Sequence, residues 1–176
     1  MTTVIFSKCI DRFVSMLYNL GVIKREERPP MISKRLNPID GMKYGDAREK
    51  AVAIDHKARW YHHDSHRYDK ASDVVDGELK ITVKSARFTL MSGTLCEGET
   101  TMEGIWRVYE LNTHSNMAAY VTEDFVSYEM TISEFKSFVF QFCAIERDSG
   151  KNKGNAKIRM RRENDEVRAW LAERAN

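Results

Sequence analysis

The stretch Ala71–Met91, ASDVVDGELKITVKSARFTLM, decides how this chain is read. Val74-Val75 is a short apolar run that meets Asp76-Gly77. Asp-Gly between strand-like runs marks a tight hairpin, because both central residues of a type I′ turn need φ > 0. Beyond it Leu79, Ile81 and Val83 alternate with Glu78, Lys80, Thr82 and Lys84, the period-2 pattern of a half-buried strand. A two-residue loop at Asp76-Gly77 sets Val75 opposite Glu78, Val74 opposite Leu79 and Asp73 opposite Lys80. Facing residues share a side of the sheet. One face then carries Val74, Leu79, Ile81 and Val83, and the other Asp73, Glu78, Lys80, Thr82 and Lys84. By pattern alone the polar face is the solvated outer side of an antiparallel pair.

The order of residues in SDVVDGELKITVKSARF (72–88) resembles the core of the PD-(D/E)XK nucleases, the restriction-endonuclease-like superfamily. In that family an Asp on one strand precedes a short turn and a Glu-x-Lys on the next. Asp73 matches the Asp and Lys84 the Lys, while Thr82 stands where the family has its second carboxylate. The resemblance implies hydrolysis of phosphodiester bonds with Mg²⁺ or Mn²⁺, Asp73 as fixed metal ligand and Lys84 as catalytic lysine. Glu78 is expected to compensate for the neutral Thr82, since the register above puts it diagonally across from Asp73. Glu78-Leu79-Lys80 is itself an E-x-K, shifted four residues toward the turn, which adds Lys80 to the catalytic candidates. The family often has a Glu on its first core helix, and Glu49 is the residue at the matching place.

Composition sets the frame for this reading. The chain has 176 residues, enough for one domain with a sizeable core, and its 42% hydrophobic and 31% charged content is that of a globular protein. A net charge of +2 does not by itself demand a nucleic-acid partner, so local charge must carry that argument. Cys9, Cys96 and Cys143 are odd in number and far apart, without a CxxC, which indicates neither a disulfide framework nor a zinc knuckle. Reduced thiols and a cytoplasmic location are expected. No apolar run approaches the ~18 residues of a membrane span.

Val4–Leu20 spaces Ile5, Cys9, Phe13, Leu17 and Leu20 as an amphipathic helix that ends at Gly21. Lys24–Asp40 holds Pro29, Pro30 and Pro38 and reads as a connector without regular structure. Residues 1–40 are therefore expected to form an N-terminal helix and connector, and 41–176 the main domain. Tyr44–His62 reads as a helix with an apolar seam of Tyr44, Ala47, Ala51, Ile54, Ala58 and Tyr61. Glu49 falls almost opposite that seam, and Asp55, nearer its edge, is a rival ligand. His56, His62, His63 and His66 crowd the end of this helix, as a metal site or as cations favoured by the helix dipole. Asp55-His56 is also similar to the opening of an HNH nuclease motif, whose later Asn, His and cysteines are absent.

Ser92–Gly104 is glycine-rich and acidic, and Ile105–Leu111 and Ala118–Thr122 read as strands. Thr131-Ile132-Ser133-Glu134 is a capping box that opens a core helix with Phe135, Phe138, Val139 and Phe142. Lys151–Arg162 carries Lys151, Lys153, Lys157, Arg159, Arg161 and Arg162 with no acid. Its second half alternates as a strand with one basic face, suited to phosphate contacts. Asn164 caps a final helix, Asp165–Ala175.

Taken together these elements predict an α+β (α/β) fold, a mixed central sheet flanked by helices, restriction-endonuclease-like by resemblance. The leading expectation is a DNA-acting, Mg²⁺-dependent endonuclease, with a homodimer among the expected states and no membrane partner. The alternatives are a catalytically decayed member that binds nucleic acid, and a small adaptor or inhibitor that binds a protein.

Overall fold

The structure is a computed structural model and describes residues 31–60, 72–91, 101–147 and 156–175. The helix expected over Val4–Leu20, His62, His63 and His66, most of the acidic stretch, and Lys151 and Lys153 lie outside the described residues. In chain order the elements are β1 (Ile32–Arg35), α1 (Tyr44–Asp55), β2 (Arg59–Trp60), β3 (Val74–Asp76), β4 (Leu79–Ser85), β5 (Thr89–Met91), α2 (Met102–Asn112), β6 (Met117–Val121), β7 (Val126–Thr131), α3 (Ile132–Phe142), β8 (Ala144–Arg147), β9 (Ala156–Arg159) and α4 (Asp165–Arg174). Six strands form a mixed central sheet in the order β1-β7-β6-β4-β3-β2, and three form a second sheet, β5-β9-β8. Among the paired strands described, β4 and β6 alone run parallel, with Thr82 beside Ala118, Val83 beside Ala119 and Lys84 beside Tyr120.

The hairpin forms with a different register from the expected one. Asp76 faces Leu79, Val75 faces Lys80 and Val74 faces Ile81, so the loop is Gly77-Glu78. Gly77 has φ 59°. Glycine at the first loop position is what a type II′ turn selects, and it spares Asp76 a left-handed backbone. The slip is two residues, an even number, so every side chain keeps its face. Asp73 now comes level with Thr82 rather than Lys80, still on the face of Lys84.

Both faces of the central sheet are covered. Val74, Ile81, Val83, Ala119 and Val121 pack beneath Ala51, Val52 and Ala53 of α1. On the other face Ala118, Tyr120 and Met130 meet Ile105 and Trp106 of α2, Phe135 and Phe138 of α3, Leu90 and Ile158 of the second sheet, and Trp170 of α4. The outer face expected from the strand pattern is therefore interior, and Thr82 is only 4% exposed.

Three sequence expectations are corrected here. The helix over 44–62 ends at Asp55, and its seam is rotated: Ala47, Arg48, Ala51, Val52 and Ala53 are buried, whereas Tyr44 and Ile54 are exposed. The cause is Arg48. Its Nε and Nη2 donate to the carbonyls of Thr122 (3.2 Å) and Glu123 (3.0 Å) in the β6–β7 turn, and its guanidinium lies 3.5 Å from the Tyr44 ring centre and 4.4 Å from that of Phe125. Such multiply bonded, stacked geometry suits a buried guanidinium. Second, Ile32–Arg35, placed in the connector, is the edge strand β1, which pairs with β7. Third, Ile105–Leu111 is helical. A parallel β4–β6 pair needs a long crossover, and Thr101 caps that helix by accepting from the Gly104 N–H at 3.1 Å.

The two expected caps are present. The capping box is complete: Thr131 Oγ1 accepts from the Glu134 N–H (3.2 Å) and Glu134 Oε2 from the Thr131 N–H (3.0 Å). Asn164 Oδ1 accepts from the Val167 N–H at 2.9 Å to open α4. Burial pushes the Cys143 thiol up to about 12, which keeps it a neutral thiol at pH 7. Among the described residues no helix is long and apolar enough to cross a membrane.

The rotated seam makes a direct stability prediction. Phe138 is fully buried against the rings of Tyr120, Phe142 and Trp170, so Phe138→Ala should cost about 3–5 kcal/mol in urea unfolding. Ile54, a core position by sequence periodicity, is 59% exposed, so Ile54→Ala should stay within about 0.5 kcal/mol of the parent.

Candidate active site

The site begins where β3 and β4 part. The ladder breaks at Asp73, whose N–H donates to the Ile81 carbonyl at 3.0 Å. Its carboxylate replaces the backbone partner one step on: Asp73 Oδ2 accepts from the Val83 N–H at 2.6 Å. The same oxygen accepts from Thr82 Oγ1 (3.3 Å) and Lys84 Nζ (3.4 Å). Lys84 Nζ also donates to the Val83 carbonyl at 3.0 Å. Among the described residues none addresses Oδ1, so that oxygen is left for another partner.

Lys84 sits one residue from the carboxyl end of β4, beside Tyr120 of the parallel strand β6. In sheets with parallel strands this end is where ligands are commonly held. Burial works against the Lys84 charge, but Asp73, then Tyr109 and Glu49, outweigh it and leave the ammonium above its ordinary pKa. The lysine is therefore charged throughout the neutral range.

Glu49 joins this group from α1. The rotation that turns Arg48 inward moves Glu49 from opposite the buried face toward its flank, about a third of a turn from the centre of that face on the helical wheel. Its Oε2 accepts from Trp60 Nε1 at 3.3 Å, which ties the helix to β2. Burial pushes the Glu49 carboxyl above its usual range, and the Asp73 charge pushes it further. Two carboxylates and a lysine from three separate elements thus share one electrostatic environment, the arrangement in which perturbed groups point to function.

Tyr109 completes the site, and sequence reasoning missed it because Ile105–Leu111 reads as a strand. Its hydroxyl donates to Thr82 Oγ1 at 3.4 Å, and Thr82 Oγ1 donates in turn to Asp73 Oδ2, so a Tyr109–Thr82–Asp73 hydrogen-bond chain crosses this face. The signal was the Thr101 cap followed by Ile105, Trp106 and Tyr109 at helical spacing.

Glu78 does not reach Asp73. With Asp73 level with Thr82, Glu78 is four residues away along β4, about 13 Å at strand rise. It is exposed in the turn, where its carbonyl accepts from Asn116 Nδ2 at 3.1 Å. Lys80 faces Val75 and its backbone is held by Asn116, which accepts the Lys80 N–H at 2.9 Å and donates to the Lys80 carbonyl at 3.0 Å. Asn116 thereby locks the turn end of β4.

The basic strand is β9, central in the second sheet; Ile158 and, just beyond the strand, Met160 are buried, while Arg159 and Arg161 alternate with them and are exposed. Its charge is partly neutralised: Glu146 of β8 holds Arg159 Nη1 at 3.1 Å and Arg161 Nε at 2.9 Å, and these bonds pull the Glu146 carboxyl below its usual range. Lys157 is half-buried and Arg162 exposed.

Comparison of the chain with protein-family models, with curated proteins and with solved structures gives no match.

A buried carboxylate beside another should cost stability when ionised. The Glu49 pKa is raised in the folded chain, so the native state binds the extra proton and stability falls as pH rises from the unfolded value through the folded one. Glu49→Gln should raise the melting temperature by a few degrees at pH 7 and by less near pH 4, since the gain is lost as the parent carboxyl takes up its proton. An equal effect at both pH values would mean that packing, not charge, is responsible.

Proposed function

We propose that this chain is a DNA-acting protein of the restriction-endonuclease-like kind that hydrolyses phosphodiester bonds with a divalent cation. The observation that carries the reading is the convergence of Glu49, Asp73 and Lys84 at the carboxyl end of the parallel strands β4 and β6. The donor chemistry suits Mg²⁺ or Mn²⁺: Asp73 Oδ1 and the Glu49 carboxylate are hard oxygen donors whose mutual repulsion a cation relieves. With Asp73 and Glu49 as its ligands, such a cation would supply polarisation of a phosphate and a lowered pKa for an attacking water. The chain's own residues do the rest. The Val83 N–H and Thr82 hydroxyl fix the Asp73 rotamer, and the Lys84 ammonium stabilises charge that develops on the phosphate oxygens. Tyr109, through Thr82, sets the hydrogen-bonding state of Asp73 without adding a charge.

Thr82 favours a second reading, a member that binds nucleic acid without cutting it. Thr82 is buried and neutral, and one Asp73 oxygen is already filled by three donors. Incubating plasmid DNA with the protein and Mg²⁺ or Mn²⁺, against EDTA, separates the two. Under the first reading metal-dependent nicking appears, and Asp73→Asn or Lys84→Met lowers its rate by about 10²-fold or more. Nicking that persists in Asp73→Asn places the chemistry elsewhere. Retention of DNA without cleavage at any metal concentration supports the second reading.

The basic face gives an independent check. If DNA phosphates lie along β9, Glu146→Gln frees Arg159 and Arg161, tightens binding and steepens the salt dependence by about 0.9 per added phosphate contact. Weaker binding in this variant would show that the Glu146 pairs hold the strand in its binding shape.

A further inference from the structure

A second group of ligand atoms lies at the far end of α1, apart from the Asp73 site. His56 caps α1, and its ring lies between β7 and the hairpin turn: Nε2 is 2.8 Å from Glu129 Oε1, and Nδ1 is 3.9 Å from Asp76 Oδ2. Asp55 adds a carboxylate, and one ligand atom from each of Asp55, His56 and Glu129 lies within 4.8 Å of the others. The His56 and Glu129 side chains are 11% and 8% exposed, so water screens them little. The residues come from α1 and from β7, on strands and helix held by Arg48 and by the sheet, so the cluster is a product of the fold rather than of neighbouring sequence.

We propose that Asp55, His56 and Glu129 bind a divalent transition ion, with zinc as the best fit. One imidazole nitrogen with two carboxylate oxygens is a borderline donor set that suits Zn²⁺ and leaves the fourth tetrahedral position to water. Hard Mg²⁺ does not favour imidazole. Asp76 Oδ2 lies 3.9 Å from the other ring nitrogen, and a small closing movement would make it the outer carboxylate that orients a ligating histidine. Zinc entry replaces two contacts of the empty cluster. The Glu129–His56 bond gives way to two metal bonds, and Lys34, whose Nζ lies 2.9 Å from Asp55 Oδ2, releases that carboxylate. Through this bond Lys34 places its ammonium beside the cluster, where it competes with a bound cation. The site would clamp the α1 terminus to β7 and the hairpin turn, and it shares no residue with the Asp73 group.

Calorimetric titration of Zn²⁺ into the full chain tests this, with Co²⁺ absorption as a second readout. The expected result is stoichiometric binding that persists in Asp73→Ala and weakens in His56→Ala and Glu129→Gln by more than the about 10–100-fold cost of losing an outer partner. Asp76→Asn should weaken it by about tenfold. Lys34→Met lies on the exposed edge strand and leaves the buried contacts intact, so it reports even if a buried variant does not fold. Removing this competing cation should tighten zinc about threefold or more. An unchanged zinc affinity in Lys34→Met, equal affinity in His56→Ala and Glu129→Gln, or no stoichiometric zinc on the parent chain overturns the assignment. Zinc binding lost in Asp73→Ala but kept in His56→Ala overturns it too, and places the ion in the candidate active site.

Discussion

The parallel pairing of β4 with β6 is the constraint from which the rest of this structure follows. Two parallel strands cannot be joined by a tight turn. The chain between them therefore passes through β5 and α2, and both lie on the sheet face that carries Thr82 and Lys84. That crossover buries a face whose sequence alternates like a solvated one. It also carries Tyr109 over Thr82 and sets Lys84 at the carboxyl end of the pair.

Burial changes what Asp73 and Lys84 are worth. On a wet outer face an Asp–Lys pair contributes little. Here the Asp73 carboxylate takes over a backbone position in the broken ladder through the Val83 N–H, and Lys84 is held between that carboxylate and the Val83 carbonyl. Burial, with a further push from the Asp73 charge, holds the Glu49 carboxyl above its usual range. The Trp60 indole N–H offsets part of this by bonding to Glu49.

Arg48 is the second organiser. By bonding to the β6–β7 turn and stacking on Tyr44 and Phe125, it rolls α1 so that Val52 and Ala53 face the sheet. The same roll sends Glu49 toward Asp73, and the end of the helix brings His56 to Glu129. One buried guanidinium thus underlies the placement of both clusters, one at the middle of a twelve-residue helix and one at its C-terminal end.

The sequence by itself determined the local elements whose signals are strong and self-contained. The Gly77 turn and period-2 strand, the Thr131–Glu134 capping box, the Asn164 cap and the alternation of β9 each satisfy their own backbone groups within a few residues. It also put Asp73 and Lys84 on one face, because any even register slip preserves faces. Only the tertiary structure decided the rest. Whether Ile105–Leu111 is strand or helix depends on a crossover demanded by distant strands. The edge strand β1 exists only because β7 offers a free ladder. Which side of α1 is buried depends on two carbonyls more than seventy residues away that accept from Arg48. Tyr109 and Glu129 acquire their partners Thr82 and His56 only through such long-range contacts, and Glu49 meets Trp60 only because β2 folds back beside α1.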